Sequence, residues 1–99
     1  MPETYTSGSW VAKPGEEDDF VAAWREFAAW ARTHEGCGML RLVRDVEQPA
    51  RFMSFAPWAS FEAQRLWKEQ DEFSERIGRV RRHTDEFVPS TWELVEVIG

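Results

Sequence analysis

Residues 39–58, MLRLVRDVEQPARFMSFAPW, decide the fold because they predict two adjacent strands. The runs 39–47 and 51–56 are rich in aliphatic and aromatic side chains, and residues 48–50 between them form a short link. Two such runs joined by a few turn residues are typical of an antiparallel hairpin. We therefore predict a hairpin in the middle of the chain, with Pro57 closing its second strand.

The segments before the hairpin predict a strand and a helix. Residues 5–12 (YTSGSWVA) have the composition of a strand, in which Gly8 marks a bulge or a close approach, and residues 13–15 (KPG) are a turn signal. From residue 16 to about residue 34, apolar residues recur at spacings of three and four, which indicates an amphipathic helix. Residues 36–38 (GCG) end that helix.

The segments after the hairpin predict two helices and a last strand. Ser60 is expected to cap the second helix and Asp71 the third. The apolar face of the third helix is predicted to carry Phe73, Ile77, Val80, Thr84 and Phe87. Residues 91–98 (TWELVEVI) are rich in β-formers and predict the fourth strand. The element order β-α-β-β-α-α-β predicts an α+β domain.

The predicted strands are apolar on both faces. In residues 51–58, Phe52 and Trp58 fall on one face, whereas Met53 and Phe55 fall on the other. A sheet covered by helices on one side should instead present polar side chains on its second side. Because monomers rarely expose large contiguous apolar patches, we expect a second sheet to cover the open face. A two-fold homodimer with its sheets packed back to back is the simplest solution.

The composition argues against several classes of protein. The chain has 99 residues, which fits a single domain over residues 1–99, and its formal net charge of −6 argues against nucleic acid and membranes as partners. One cysteine and two histidines are a poor ligand set for a structural metal site. The N-terminal sequence lacks the features of a signal peptide, and we expect a cytoplasmic protein.

Several stretches resemble the antibiotic biosynthesis monooxygenase family. They are KPGEEDDFVAAWREFAAWA (13–31), GCGMLRLVRDVEQPARFMSFAPWAS (36–60), DEFSERIGRVR (71–81) and PSTWELVE (89–96). The most specific elements are the Pro-Gly turn, the strand end FAPW and the later DEF. The resemblance implies a ferredoxin-like subunit, a dimeric α+β barrel and a ligand pocket in each subunit between the helices and the sheet.

Members of this family include oxygenases that oxidise aromatic polyketides or quinols without metal, flavin or haem. The resemblance therefore implies a monooxygenase of secondary metabolism, an oxidoreductase that needs no cofactor and acts on a small aromatic molecule with O2. Two other functions remain open on the same fold. One is a polyketide cyclase-type enzyme, and the other is a non-catalytic dimer that binds a small ligand.

Cofactor-free oxygenation requires a dry aromatic slot that binds a flat, electron-rich ring and favours its deprotonated form. The candidate substrate-binding residues are Trp58, Trp67, Phe73, Ser54, Trp24 and Phe27. Trp58 lies where a strand gives way to a helix and resembles a recurrent family position near the pocket. Aromatic residues at helical spacing are also typical of an ordinary core, which is the alternative interpretation of Trp24 and Phe27.

The sequence does not identify a catalytic residue, and its candidates are weak. His34 and His83 lie near predicted helix ends, where histidines are usually solvated or capping. Arg41 and Arg76 have the charge to stabilise a phenolate or an enolate, but arginines on an edge strand or a helix usually lie at the surface or in ion pairs. Arg41, Arg76 and His83 are the candidates that remain.

The haem-degrading members of the family provide a contrast, because they rely on an Asn, a Trp and an axial His. Trp67 matches the Trp. The His would fall at Ile77, and the Asn would lie near Gly8, in a chain that contains no Asn. Haem iron would then lack its expected protein ligand. We therefore do not expect haem degradation.

Overall fold

The computed structural model describes residues 3–99, in which the elements follow the predicted order. They are β1 (Thr4–Ala12), α1 (Glu17–Ala31), β2 (Arg41–Arg44), β3 (Arg51–Trp58), α2 (Phe61–Lys68), α3 (Asp71–Arg81) and β4 (Thr84–Glu93). The strands form one antiparallel sheet in the order β2-β3-β1-β4. The helices pack on one face of this sheet. The predicted ferredoxin-like α+β fold is confirmed.

β2 and β3 form the predicted hairpin, but β2 is shorter than expected. It covers Arg41–Arg44 and pairs with β3 from Arg41 opposite Phe55 onward. The chain turns at Asp45, whose carboxylate accepts hydrogen bonds from the backbone N–H groups of Glu47 and Gln48 at 2.8 and 3.2 Å. A side-chain turn of this kind ends a strand because it offers the backbone other partners.

Pro57 does not close β3 as predicted, since the strand continues to Trp58. Pro57 lies opposite Tyr5 of β1, yet its carbonyl accepts a hydrogen bond from the N–H of Gly38 on the other side, at 2.8 Å. The N and O atoms of one strand residue point the same way. The missing proline N–H therefore leaves the ladder between β1 and β3 intact.

The boundary between α3 and β4 differs most from the prediction. α3 ends at Arg81, so Thr84 and Phe87 belong to β4 and not to a helical face. Phe87 still points into the core, where its ring stacks on Trp10 at a centroid distance of 3.9 Å. β4 ends at Glu93 because its partner β1 begins at Thr4, directly opposite. Residues 94–98, predicted as strand, follow outside the sheet.

The predicted helix caps are correct for one helix and wrong for the other. The Ser60 hydroxyl accepts a hydrogen bond from the N–H of Ala63 at 3.0 Å and caps α2 as expected. Asp71 is instead the first residue of α3, where its charge favours the helix dipole, and Gln70 occupies the cap position.

The second face of the sheet is apolar, and residues 3–99 leave it uncovered. Strand pairing places Val43 beside Met53, and Tyr5 beside Trp92, on this face. Val43, Met53, Val88 and Trp92 are between 46% and 55% exposed. One face of the sheet is thus closed by helices and the other is open, as the apolar pattern of the strands predicted.

Gly36 allows the turn after α1 to pack against α2. Its φ is +86°, and a Cβ atom there would lie 2.8 Å from the Cβ of Ala63. We expect Gly36→Ala to lower the free energy of unfolding by about 2–4 kcal/mol, from backbone strain and overpacking together. Gly15→Ala is the matched control, because Gly15 has φ +82° and open space around it, so only the cost of about 1 kcal/mol for the backbone applies. Equal losses in urea titrations at one protein concentration would contradict the packing argument.

Candidate active site

A cavity of about 60 Å³ lies between the helices and the covered face of the sheet. Its helical wall consists of Trp24, Phe27, Trp67, Lys68, Phe73 and Ile77. Its floor on the sheet includes Thr6, Gly8, Trp10, Ser54 and Phe87. Small-molecule sites usually measure about 300 Å³ or more. A ring-sized ligand therefore has to displace side chains of the wall.

Trp67 is the centre of the aromatic wall. Its ring lies 4.8 Å from that of Phe73, edge to face, and 5.7 Å from that of Phe27. The Trp58 ring also packs against Trp67, with the two ring centroids 4.8 Å apart. Trp67 is only 5% exposed, so these neighbours hold its orientation.

Five of the six predicted substrate-binding residues line the cavity. They are Trp24, Phe27, Ser54, Trp67 and Phe73. Trp58 is fully buried and lies outside the cavity wall, where its indole N–H donates to the Thr6 hydroxyl at 3.0 Å. It therefore supports Trp67 and Thr6 and does not face the cavity itself, contrary to the expectation.

The floor of the cavity combines a close approach with a buried hydrogen bond. The Trp10 indole N–H donates to the Ser54 hydroxyl at 2.9 Å. A Cβ atom at Gly8 would lie 2.8 Å from the same indole nitrogen and 3.0 Å from the Phe87 ring, which confirms the predicted close approach at this glycine. The glycine thus leaves room for the indole to reach Ser54.

Lys68 is the one ionisable side chain among the cavity-lining residues of the described chain. Its ammonium group donates to the Thr91 hydroxyl of β4 at 3.2 Å. Desolvation against the apolar wall lowers the pKa of Lys68 below its ordinary value. Lys68 was not among the predicted site residues, because a lysine on the polar side of a helix gives no signal that a later strand will contact it.

The four residues considered for charge stabilisation or proton transfer lie outside the cavity wall formed by residues 3–99. Arg41 is exposed on the open face of the sheet. Arg76 pairs with Glu72 at 2.6 Å and lies over the Trp30 ring.

The two histidines are engaged elsewhere. His34 Nδ1 lies 3.0 Å from the Trp30 carbonyl oxygen. His83 Nδ1 lies 2.9 Å from a carboxylate oxygen of Glu16, at the start of α1. Within residues 3–99, no three His, Cys, Asp or Glu side chains are grouped to bind a metal ion, and no helix is long and apolar enough to cross a membrane.

Ser54→Ala tests the buried hydrogen bond in the cavity floor. The change leaves the Trp10 indole N–H without its acceptor, so we expect the free energy of unfolding to fall by about 1–3 kcal/mol. Ser74→Ala is the control, because Ser74 is exposed on α3, where alanine should be neutral or slightly stabilising. Chemical denaturation of both variants measures the difference. A Ser54 variant as stable as the control would contradict the assigned role of this bond.

Comparisons with known proteins identify a family for this chain and solved structures that share its fold. A family model described as antibiotic biosynthesis monooxygenase matches residues 8–78. No match was found among curated proteins. Many solved structures share the fold.

Three examples among these structures each cover at least 94% of the chain. SnoaB, a cofactor-independent oxygenase from Streptomyces nogalater, is 15% identical with a TM-score of 0.89, over 99% of this chain and 98% of that chain. A Bordetella bronchiseptica protein provisionally named an antibiotic biosynthesis monooxygenase is 21% identical with a TM-score of 0.82, over 99% and 100%. A Shewanella oneidensis protein is 17% identical with a TM-score of 0.81, over 94% and 91%. At these identities the likeness establishes the fold alone.

Proposed function

Because the chain belongs to the antibiotic biosynthesis monooxygenase family, we propose that it is a cofactor-independent monooxygenase acting on a small, electron-rich aromatic molecule with O2. The substrate is a quinol or a polyketide-derived ring such as an anthrone. The observation that carries the proposal is the cavity, whose wall joins Trp67, Phe27 and Phe73 to hydrogen-bond donors. The likeness to SnoaB supports the same reaction class.

The proposed reaction requires little covalent chemistry from the protein. An anthrone or a quinol loses a proton, and the resulting anion gives an electron to O2. For an anthrone, the CH2 group becomes a carbonyl, with one oxygen atom from O2 retained and the other released as water. The protein must hold the ring flat, favour the anion and exclude water from the radical pair.

The cavity residues suit these three tasks. Trp67 and Phe73 meet edge to face and offer ring surfaces for a flat substrate. Thr6 and Ser54 present hydroxyl groups at the floor, and Lys68 presents a positive charge. A substrate of this size requires the wall to open, and the half-buried Phe73 and the exposed Lys68 lie in that wall.

We also propose that the working molecule is a homodimer, in which the open faces of two sheets pack together. Met53, Val43 and Trp92 would then be buried against the partner, which removes an apolar surface from water. Val95 and Ile98, which are 85% and 92% exposed beyond β4, are further apolar side chains left open to solvent in the single chain. The proposal also includes a role in secondary metabolism, which rests on the family resemblance, and a cytoplasmic location, with which the free, buried Cys37 is consistent.

Oxygen uptake with a panel of anthrones and quinols tests the proposed reaction. The protein is freed of metals with a chelator, and uptake is compared with the spontaneous rate of each compound. We expect uptake above that rate, one O2 per oxygenated product, and no product without oxygen. An open-chain β-polyketone is added to the panel, and its ring closure with loss of water and without oxygen would indicate a cyclase. Tight binding of the panel without any turnover would indicate a ligand-binding protein.

A further inference from the structure

The polar side chains around the cavity have protons to donate. The hydroxyls of Thr6 and Ser54 already accept hydrogen bonds from indole N–H groups at 3.0 and 2.9 Å. A hydroxyl that accepts in this way keeps its own proton for a further partner. Trp67 Nε1 is buried and has no hydrogen-bond partner within residues 3–99. A ligand with acceptor oxygens would pair with the free protons of the two hydroxyls in the cavity.

Lys68 adds a cationic side chain to this set of donors. Its ammonium group lies 3.2 Å from the Thr91 hydroxyl, and Thr91 pairs directly with Thr6, whose side chain lines the cavity. Lys68 itself is exposed, so its charge lies where the cavity meets solvent. The hydrogen bond to Thr91 uses one of the three ammonium protons, which leaves two for a ligand.

The charge of the whole chain makes this local cation necessary for an anionic ligand. The formal net charge is −6, so the overall field repels anions. A carboxylate or an enolate entering the cavity loses hydration and needs a paired charge in return. Among the cavity-lining residues of the described chain, Lys68 alone provides one.

We propose that the cavity selects aromatic ligands carrying an ionised oxygen, and that Lys68 binds this oxygen at the mouth. The inference rests on the proposed function for the aromatic character of the ligand. It deepens that function by naming the substrate class, which is an aromatic carboxylate or an ionised enol.

Equilibrium dialysis under nitrogen with two matched pairs of probes tests the inference. The first pair is 2-naphthoate and neutral 2-naphthamide, which tests a carboxylate. The second pair is 2-hydroxy-1,4-naphthoquinone, which is ionised at neutral pH, and its neutral 2-methoxy ether, which tests an enolate. We expect at least one anion to bind about tenfold more tightly than its neutral match, and the pair that shows this identifies the acidic group.

Three variants assign the preference to Lys68. Lys68→Gln should abolish it, and Lys68→Arg should keep it. Lys13→Gln removes the same charge in the turn before α1, outside the cavity wall, and should leave the preference unchanged. Equal binding of anions and neutral matches by the native protein, or an unchanged preference in Lys68→Gln, would overturn the inference.

The assay separates this inference from the proposed reaction, because binding under nitrogen involves no turnover. A preference for anions that depends on Lys68 supports the inference even where oxygen uptake fails. Oxygen uptake without such a preference supports the reaction and overturns the inference. Failure of all four probes to bind overturns the aromatic ligand class on which both depend.

Discussion

Met53→Glu is expected to convert the proposed homodimer into folded monomers. Met53 lies on the open face of the sheet beside Val43, and it is 49% exposed in the single chain. In a two-fold interface the substitution buries two carboxylates, each at a cost of at least about 2 kcal/mol. The total of about 4 kcal/mol weakens the dimer roughly a thousandfold. Sedimentation velocity over a range of protein concentrations measures the shift from dimer to monomer.

Val46→Glu is the matched control for this prediction. Val46 is 94% exposed in the turn between β2 and β3, so the same new charge appears away from the sheet face. This variant should sediment like the native protein, and circular dichroism should report native secondary structure for both variants. If Met53→Glu remains dimeric at the lowest concentration, the sheet face is not the dimer interface.

Trp67→Phe is expected to reduce turnover about a hundredfold while the protein stays folded. The change keeps an aromatic ring against Trp58 and Phe73 but removes a buried N–H that has no partner within residues 3–99. Losing an unpaired donor offsets part of the lost packing, so the free energy of unfolding should change by no more than about 2 kcal/mol. Losing one preorganised donor to a developing oxyanion costs about a hundredfold in rate.

Trp30→Phe separates this role from general effects on the aromatic cluster. The Trp30 ring lies 6.1 Å from that of Phe27 and 6.3 Å from that of Trp67, but Trp30 is not part of the cavity wall. The Trp30 variant should retain near-native kcat in oxygen-uptake assays. Equal kcat losses in both variants would assign the effect to packing and not to the Trp67 N–H.

The fold was largely predictable because its main signals are local. The β2–β3 hairpin and α1 follow from runs of apolar residues that need no knowledge of the rest of the chain. β4 was misplaced by about seven residues at its start because Phe87 continues the spacing of α3 while belonging to a strand. Only the pairing with β1, which aligns Trp10 with Phe87, decides between the two.

The candidate site was predictable where it depends on helix faces and not where it depends on register. The apolar stripe and the family resemblance brought Trp24, Phe27, Trp67 and Phe73 together, and all four line the cavity. Lys68 was not predicted because its hydrogen bond to Thr91 depends on the register in which β4 pairs with β1.

The position of Trp58 relative to the cavity was likewise not predictable from the strand pattern. Alternation places its side chain on the helix-covered face, as expected, but cannot say that Trp67 lies between it and the cavity. That relation depends on where α2 crosses the sheet, which is a tertiary property.

The most direct test of the proposed reaction is the origin of the new oxygen atom in the product. Metal-free protein is incubated with an anthrone under 18O2, and labelled anthraquinone is followed by mass spectrometry against the reaction without protein. We expect one 18O atom per product, formed faster than the spontaneous background and slowed in Trp67→Phe. Product formed no faster than background with any anthrone or quinol, or product whose new oxygen comes from water, would contradict cofactor-independent monooxygenation.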